Sequence, residues 1–391
     1  MRDRLPPFPA ILRSLLVRGV NWLGDAVMTT PALQRIRQRY PQAHITLLTD
    51  QKLGDLWRSY PGLDTVITFN RTDNPWAIAR RLRDHHFEAA LILPSSPRSA
   101  FEAWLAGIPQ RIGYAARWRS WFLTYPVSYP SDRLRLRKLP VREVKRLVRL
   151  AAPRRGIIGA APHVHQTFDY LHLAACLGAD SSPLAPKLEM TAEETQAVLA
   201  SCLSRAGAPD ALKFSAQPGL RLGLNPSAAY GPAKCWPIEK FAEVTQQISR
   251  QLPKCSWLIF GDRKDADCCE TLATLGAGRF INFAGKTSLR ELMALLKSCH
   301  VLLTNDSGPM HLAAALGTPV VAVFGSTSPE LTGPGQPGDR RHRILRSNAY
   351  CSPCFRRTCP IDFRCMNGIT ANQAVTAILE LVSSKFGLDD R

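Results

Sequence analysis

The densest run of chemically useful residues is Thr304-Asn305-Asp306-Ser307-Gly308-Pro309-Met310-His311. It follows an apolar run, 301–304, and precedes helix formers, 312–316, which Gly317 and Pro319 end. Asp306 or Ser307 can cap that helix, and Pro309 fits its first turn. Gly308 lets a ligand approach the backbone. Free N–H groups at a helix start, with the positive end of the dipole, make a site for a diphosphate. Asp306 is itself negative, so it suits sugar hydroxyls better than phosphate, and His311 one turn on can reach the same place. The plainer reading of the pattern is a capped helix with a packed histidine.

A second stretch of this kind is Asn225-Pro226-Ser227-Ala228-Ala229-Tyr230-Gly231-Pro232-Ala233-Lys234-Cys235-Trp236-Pro237. Its small residues leave backbone accessible, and Lys234 can neutralise a leaving diphosphate, unless it is an ordinary solvated lysine. Near the start of the chain, Gly19-Val20-Asn21-Trp22-Leu23-Gly24-Asp25 lies between an expected strand and an expected helix. A carboxylate at the carboxyl end of such a strand can take a proton from a hydroxyl. The alternative is that Asp25 only caps the helix. Gly19 and Gly24 are five apart, which is not the G-x-G-x-x-G spacing of a nicotinamide site, although Asp50 stands where a ribose-binding acid would.

Two further constellations carry alternatives. Cys351, Cys354, Cys359 and Cys365 give C-x2-C-x4-C-x5-C, which can hold zinc or an iron–sulfur cluster, or can be a reduced loop or a single disulfide. Arg111, Arg117, Arg119, Arg133, Arg135, Arg137, Lys138, Arg142, Lys145, Arg146 and Arg149 form a basic run, interleaved with Trp104, Tyr114, Trp118, Trp121 and Phe122. It suits a phosphorylated amphiphile, an anionic leaflet or nucleic acid, or it is simply a solvated face.

The elements that must position these residues read as βαβ alternation. Strands are expected at 14–18, 44–49, 65–69 and 89–93, then at 221–224, 256–260, 280–283, 301–304 and 320–324. Helices are expected at 32–39, 77–84, 238–251, 265–275, 288–297, 310–316 and 371–384. The pattern predicts two open parallel sheets. Ser, Pro, Gly and Ala gather at 181–184 and 206–219, which places a boundary near 215 and domains at 1–214 and 215–391, the last helix being free to pack back on the first.

The 391 residues are enough for two cores, and 45% apolar with 21% charged residues is a globular composition. The net charge of +19 calls for an anionic partner. The apolar run 11–20 is broken by Arg13 and Arg18, so it does not read as a signal peptide, and no apolar stretch is long enough to cross a bilayer. The expected location is the cytosol, with the 11 cysteines reduced.

Taken in order, these motifs resemble glycosyltransferase family 9, the lipopolysaccharide heptosyltransferases, over nearly the whole chain. Pro94-Ser95-Ser96-Pro97-Arg98-Ser99-Ala100 and Trp104-Leu105-Ala106-Gly107-Ile108-Pro109 belong to the likeness, as do the loops around Asp25, Lys234 and Asp306 and the cysteine loop. The resemblance implies an α/β GT-B fold, two Rossmann-like domains facing across a cleft. It implies ADP-heptose as donor on the second domain and a phosphorylated lipid A–Kdo–heptose acceptor on the first. The transfer would be inverting and metal-independent, with no cofactor required. It makes Asp25 the general base and Lys234 the stabiliser of the departing diphosphate. Ser227, Lys234, Asp265, Thr287, Asp306, Ser307, Gly308 and His311 would bind donor, with Asp265 at the adenosine ribose and Thr287 at the adenine. Asn21, Trp22, Arg98, Arg117 and Arg119 would bind acceptor. Cys235 stands where the family more often has Arg or His, so one phosphate contact would be missing. The implied place of work is the inner face of the inner membrane, on its anionic surface, with no nucleic acid partner. The alternatives are another acceptor within the family, a nicotinamide oxidoreductase, or a non-catalytic protein for anionic ligands.

Overall fold

Short apolar segments bounded by turn residues form strands when both faces of a sheet are covered, because every side chain then needs an apolar neighbour. The computed structural model, which describes residues 11–131, 133–134, 136–151, 162–206 and 220–386, contains twelve such strands in two sheets. Residues 1–10, Arg135 of the basic run and the expected boundary near 215 lie outside the described residues. Contacts divide the chain into one unit of Met1–Leu134 with His163–Pro186 and another of Arg135–Pro162 with Lys187–Arg391. The segments 136–151 and 187–206, placed in the first domain by a single division at 214/215, thus group with the second unit.

In the first unit the strands are β1 (Ser14–Arg18), β2 (His44–Asp50), β3 (Thr65–Phe69), β4 (Ala89–Ile92), β5 (Gln110–Tyr114) and β6 (Tyr125–Val127). They pair in parallel in the order β3-β2-β1-β4-β5-β6. Four of the unit's helices matter below: α1 (Leu23–Met28), α2 (Thr30–Arg39), α3 (Pro75–Arg83) and α4 (Pro97–Leu105). Leu16, Leu48, Ile78, Leu82, Ala90, Ile92, Ala100 and Ala103 share one core cluster.

The second unit has β7 (Arg221–Asn225), β8 (Ser256–Ile259), β9 (Arg279–Asn282), β10 (Val301–Asn305), β11 (Val320–Phe324) and β12 (Arg343–Arg346), ordered β12-β11-β10-β7-β8-β9. Numbered within its own unit, this is the same order as the first sheet. In both, the first strand lies beside the fourth, and connections leave that pair in opposite directions. That divergence opens a crevice at the carboxyl ends of β1 and β4 and, separately, of β7 and β10. Helix Ala192–Arg205 packs on helix Leu289–Ser298, where the Arg290 guanidinium holds both oxygens of Glu194 at 2.6 and 2.5 Å. The last helix, Ala371–Phe386, which was free to pack on the first domain, instead buries Ala374, Ile378 and Leu381 in the core of the second unit, against β10 and β11. Among the described residues no helix is long and apolar enough to cross a membrane.

Candidate active site

In the second unit the carboxyl ends of β7 and β10 are tied together by two asparagines. The Asn225 amide donates to Thr304 Oγ1 at 3.2 Å, to Ser307 Oγ at 3.0 Å and to the Ser227 carbonyl at 3.1 Å. Asn305 donates to the Pro226 carbonyl at 2.6 Å and accepts from the Trp236 N–H at 3.0 Å. Ser307 occupies the N-cap position of helix Gly308–Ala315 in extended geometry, but its hydroxyl makes no capping bond, being committed to Asn225 and Thr304. The amides at this helix start therefore keep their donors without a side-chain cap, which is the condition for anion binding.

Lys234 and Asp306 meet directly. Lys234 Nζ lies 2.6 Å from Asp306 Oδ2, which also accepts from Thr327 Oγ1 at 2.5 Å. The ammonium sits 4.9 Å from the centre of the Tyr230 ring. The loop carrying Lys234 is braced by the cysteine loop. The Ala233 N–H donates to the Arg357 carbonyl at 3.0 Å, and Tyr230 Oη donates to the Phe355 carbonyl at 2.7 Å. Gly231 adopts φ 141°, and a Cβ there would stand 2.7 Å from the Arg357 carbonyl oxygen. Beside this loop a cavity of about 600 Å³ is lined by Ser227, Cys235, Trp236, Asp265, Cys268 and Phe363, among others. Asp265 accepts from the Asp262 N–H at 3.0 Å in a capping box, which fixes its carboxylate at the rim of that cavity. Burial raises the Cys235 thiol above its usual range, so it stays protonated there.

In the first unit Trp22 is the N-cap of α1 and Asp25 lies in the first turn, so Asp25 does not cap the helix from its end. Asp25 Oδ1 accepts from Gln166 Nε2 at 3.2 Å, and the same nitrogen lies 2.9 Å from Tyr170 Oη. Tyr170 is buried, which raises its phenol, and the Asp25 charge raises it further. The turn before α1 rests on a buried ion pair. Arg18 Nε meets Glu102 at 3.0 Å, and Arg18 Nη1 donates to the Gly19 carbonyl at 2.6 Å and to Asn21 Oδ1 at 3.3 Å. Burial lowers the Arg18 pKa, partly offset by Glu102. Arg71 donates to Asp50 and to the Asn21 carbonyl, both at 2.5 Å, and its guanidinium lies 5.0 Å from the Trp22 ring centre. Asp50, the ribose-binding candidate of a nicotinamide site, is thereby engaged by Arg71 and by the Lys52 N–H.

Both sheets thus carry their charged loops at the crevice of a Rossmann-like unit. A family model, glycosyltransferase family 9 (heptosyltransferase), matches residues 75–363. The chain belongs to glycosyltransferase family 9. It is 30% identical over 342 residues to lipopolysaccharide heptosyltransferase 2 of Salmonella typhimurium, covering 85% of this chain and 87% of that one. The solved structure of the E. coli ADP-heptose lipopolysaccharide heptosyltransferase II superposes with a TM-score of 0.70 at 25% identity, covering 95% of this chain and 99% of that one. A family 9 glycosyltransferase from Veillonella parvula gives 0.74 at 22% identity, covering 96% and 98%, a likeness of fold. This family 9 chain is therefore a glycosyltransferase of the α/β GT-B class, with two parallel sheets of six strands.

Within the enzyme's second unit the expected residues Ser227, Lys234, Asp306, Ser307 and Gly308 come together through Asn225 and the Lys234–Asp306 pair. His311 is buried one turn into the helix. Thr287, half-buried ahead of helix Leu289–Ser298, is not among the residues lining the cavity that Ser227 and Asp265 share. In the first unit Asn21 and Trp22 are joined through Arg71 to Arg98, which donates to the Arg71 carbonyl at 2.8 Å and to Glu102 at 2.8 Å. Arg117 is exposed beside Trp118. Arg119 departs from expectation. It is 1% exposed, with its guanidinium spent on the carbonyls of Tyr114, Ile92, Pro94 and Ser96, and burial lowers its pKa to about 10. An arginine so placed staples the loop ends after β4 and β5 and offers nothing to an acceptor.

The residues of the basic run serve different ends. Arg111 binds the Phe122 carbonyl, Arg133 pairs with Asp169, and Arg142 to Arg149 ride a helix of the other unit. For the four cysteines, among the described residues no group of three or more His, Cys, Asp or Glu is arranged for an ion. Cys351 and Cys354 pack with Leu139, Val144 and Leu147, whereas Cys365 packs with Met366 in the large core. Burial pushes the Cys351 and Cys365 thiols up to about 11 and about 12, and the neighbouring cysteines add to the rise. The loop acts as the brace under Tyr230 and Gly231. Gln166, Arg71, Arg18, Glu102 and Thr327 were missed from sequence, since each acts through a partner far along the chain.

Proposed function

We propose that the enzyme transfers L-glycero-D-manno-heptose from ADP-heptose to the heptose of a lipid A–Kdo–heptose acceptor of the lipopolysaccharide inner core, with inversion and without a metal cofactor. The observation that carries the donor half is the uncapped start of helix Gly308–Ala315 beside Lys234 at the β7/β10 crevice. Backbone donors and an ammonium there can neutralise the β-phosphate as the sugar leaves, so no divalent cation is required for that task. Asp306 exchanges its Lys234 bond for sugar hydroxyls when the diphosphate takes the lysine. Asp265 at the cavity rim suits the adenosine ribose, and Thr287 the adenine. Asp25, steadied by Gln166, removes the proton of the acceptor hydroxyl. That oxygen then attacks the anomeric carbon from the face opposite the diphosphate, the bond to the diphosphate oxygen breaks, and ADP departs. One carboxylate and one displacement give inversion. Asn21, Trp22, Arg98 and Arg117 suit the phosphorylated acceptor. The enzyme works in the cytoplasm, peripheral on the anionic inner face of the inner membrane. Heptosyltransferase activity on an acceptor lacking the first heptose is the competing reading.

The experiment is turnover of ADP-heptose on truncated lipopolysaccharides of known length. ADP release and heptose incorporation only with the acceptor that already bears one heptose is the expected result. Equal or faster transfer to an acceptor ending in Kdo would move the enzyme to the earlier step.

A further inference from the structure

The first unit exposes an aromatic face that the proposed chemistry does not use. Trp76 on α3 is 59% exposed, Trp104 on α4 45%, and Trp118 and Trp121 in the turn Trp118–Phe122 67% and 75%. These are four of the chain's eight tryptophans. Trp76 and Trp104 share one aromatic cluster, and Trp118 and Trp121 form a pair in the adjoining turn. Phe101 stacks on Trp104 at 5.7 Å between ring centres and meets Trp76 at 6.3 Å and Phe122 at 5.1 Å. Trp104 lies 5.6 Å from Phe122, whose own turn carries the Trp118–Trp121 pair at 5.0 Å. The rim is basic. Arg80 lies one helical turn from Trp76 on the same side of α3, Arg83 reaches the Leu105 carbonyl at 2.8 Å beside Trp104, and Arg117 precedes Trp118.

Indole rings favour the headgroup layer of a bilayer, where their apolar body and polar N–H are both satisfied. Arginines around them add attraction to anionic lipid, as does the +19 charge of the whole chain. We infer that Trp76, Trp104, Trp118 and Trp121 are the membrane-docking face of this enzyme, inserting at the headgroup level of an anionic bilayer. The inference rests on the reading that the acceptor is a membrane lipid, and it assigns the contact to these exposed aromatic rings. The charge complementarity between the basic rim and anionic headgroups favours a lipid surface as the occupant.

The test is co-sedimentation of the full-length enzyme with vesicles of phosphatidylcholine containing about a third phosphatidylglycerol, against phosphatidylcholine alone. Wild type should bind the anionic vesicles, and Trp118→Ser/Trp121→Ser should weaken that binding about ten-fold or more. Brominated lipid should quench the wild-type tryptophan fluorescence. In parallel, turnover of ADP-heptose on a deacylated, water-soluble acceptor should be the same in both proteins, which reads the proposed reaction independently. Unchanged vesicle binding by the double variant, absent quenching, or no vesicle binding by wild type would overturn the inference. So would a wild-type dimer that the same substitutions dissolve, since the patch would then be a contact between copies.

Discussion

Among the groups that hold Asp25 is the amide of Gln166. Gln166 Nε2 donates to the Asp25 carboxylate and is itself set by Tyr170, a buried phenol on the same helix. A base that must meet a hydroxyl within hydrogen-bond reach loses rate when its rotamer is released. Gln166→Ala should lower kcat about ten-fold and leave ADP affinity, read by calorimetry, at the wild-type value. A matching fall in ADP affinity would mean that the glutamine is only a structural strut. At the same scale, His342 offers a titration. Its Nδ1 accepts from the Val320 N–H at 3.2 Å, and burial lowers its pKa from 6.5 to about 4. Well above pH 6.5 the ring is neutral folded or unfolded and costs nothing. As pH falls below that, the unfolded chain takes up a proton that the folded ring refuses. Stability therefore declines until about pH 4, by up to about 3 kcal/mol. Urea unfolding from pH 7 to pH 4 should show this decline, and His342→Asn, which keeps an acceptor for Val320, should flatten it.

At the scale of elements, the loop after β7 is shaped by its neighbour rather than by its own sequence. Gly231 at φ 141° passes within van der Waals reach of Arg357, so Gly231→Ala must push the Lys234 turn away from the cysteine loop. ADP binding should weaken about ten-fold, with a stability loss of about 1–3 kcal/mol in denaturant titration. Retained ADP affinity would show that the brace does not place the lysine. This coupling explains what sequence could and could not tell. The buried strands were legible because β1, β10 and β11 are built on runs of three to five apolar residues, Leu15 to Val17, Val301 to Leu303 and Val320 to Phe324. Three strands were not: β5 opens on Gln110 and Arg111, β6 has three residues with a proline, and β12 alternates half-buried with exposed positions. The charged loops after β1, β7 and β10 were legible as motifs, because glycine, proline and a charge at a strand end have local causes. Their partners were not, because Gln166 lies 141 residues from Asp25 and Thr327 is 21 from Asp306. The basic run misled for the same reason. Spacing cannot tell Arg119, buried on four carbonyls, from Arg117, exposed two residues earlier.

For the whole molecule, the proposed reaction assigns separate tasks to two units with the same strand order, and each can be interrogated while the other is intact. ADP should slow hydrogen exchange at residues 226–238, 263–268 and 306–311 and leave 23–28 unchanged, since its proposed contacts all lie in the second unit. Protection spread evenly over both sheets would place the nucleotide elsewhere. The central claim is that Asp25 does the chemistry and the β7/β10 crevice binds the donor. Its most direct test is the kcat of Asp25→Asn on ADP-heptose and the heptose-bearing acceptor, measured beside ADP binding by the same protein. The account predicts a fall in kcat of about 10²–10⁴-fold with ADP affinity unchanged. Near-wild-type turnover by Asp25→Asn, or a loss of ADP affinity as large as the loss of rate, would contradict it.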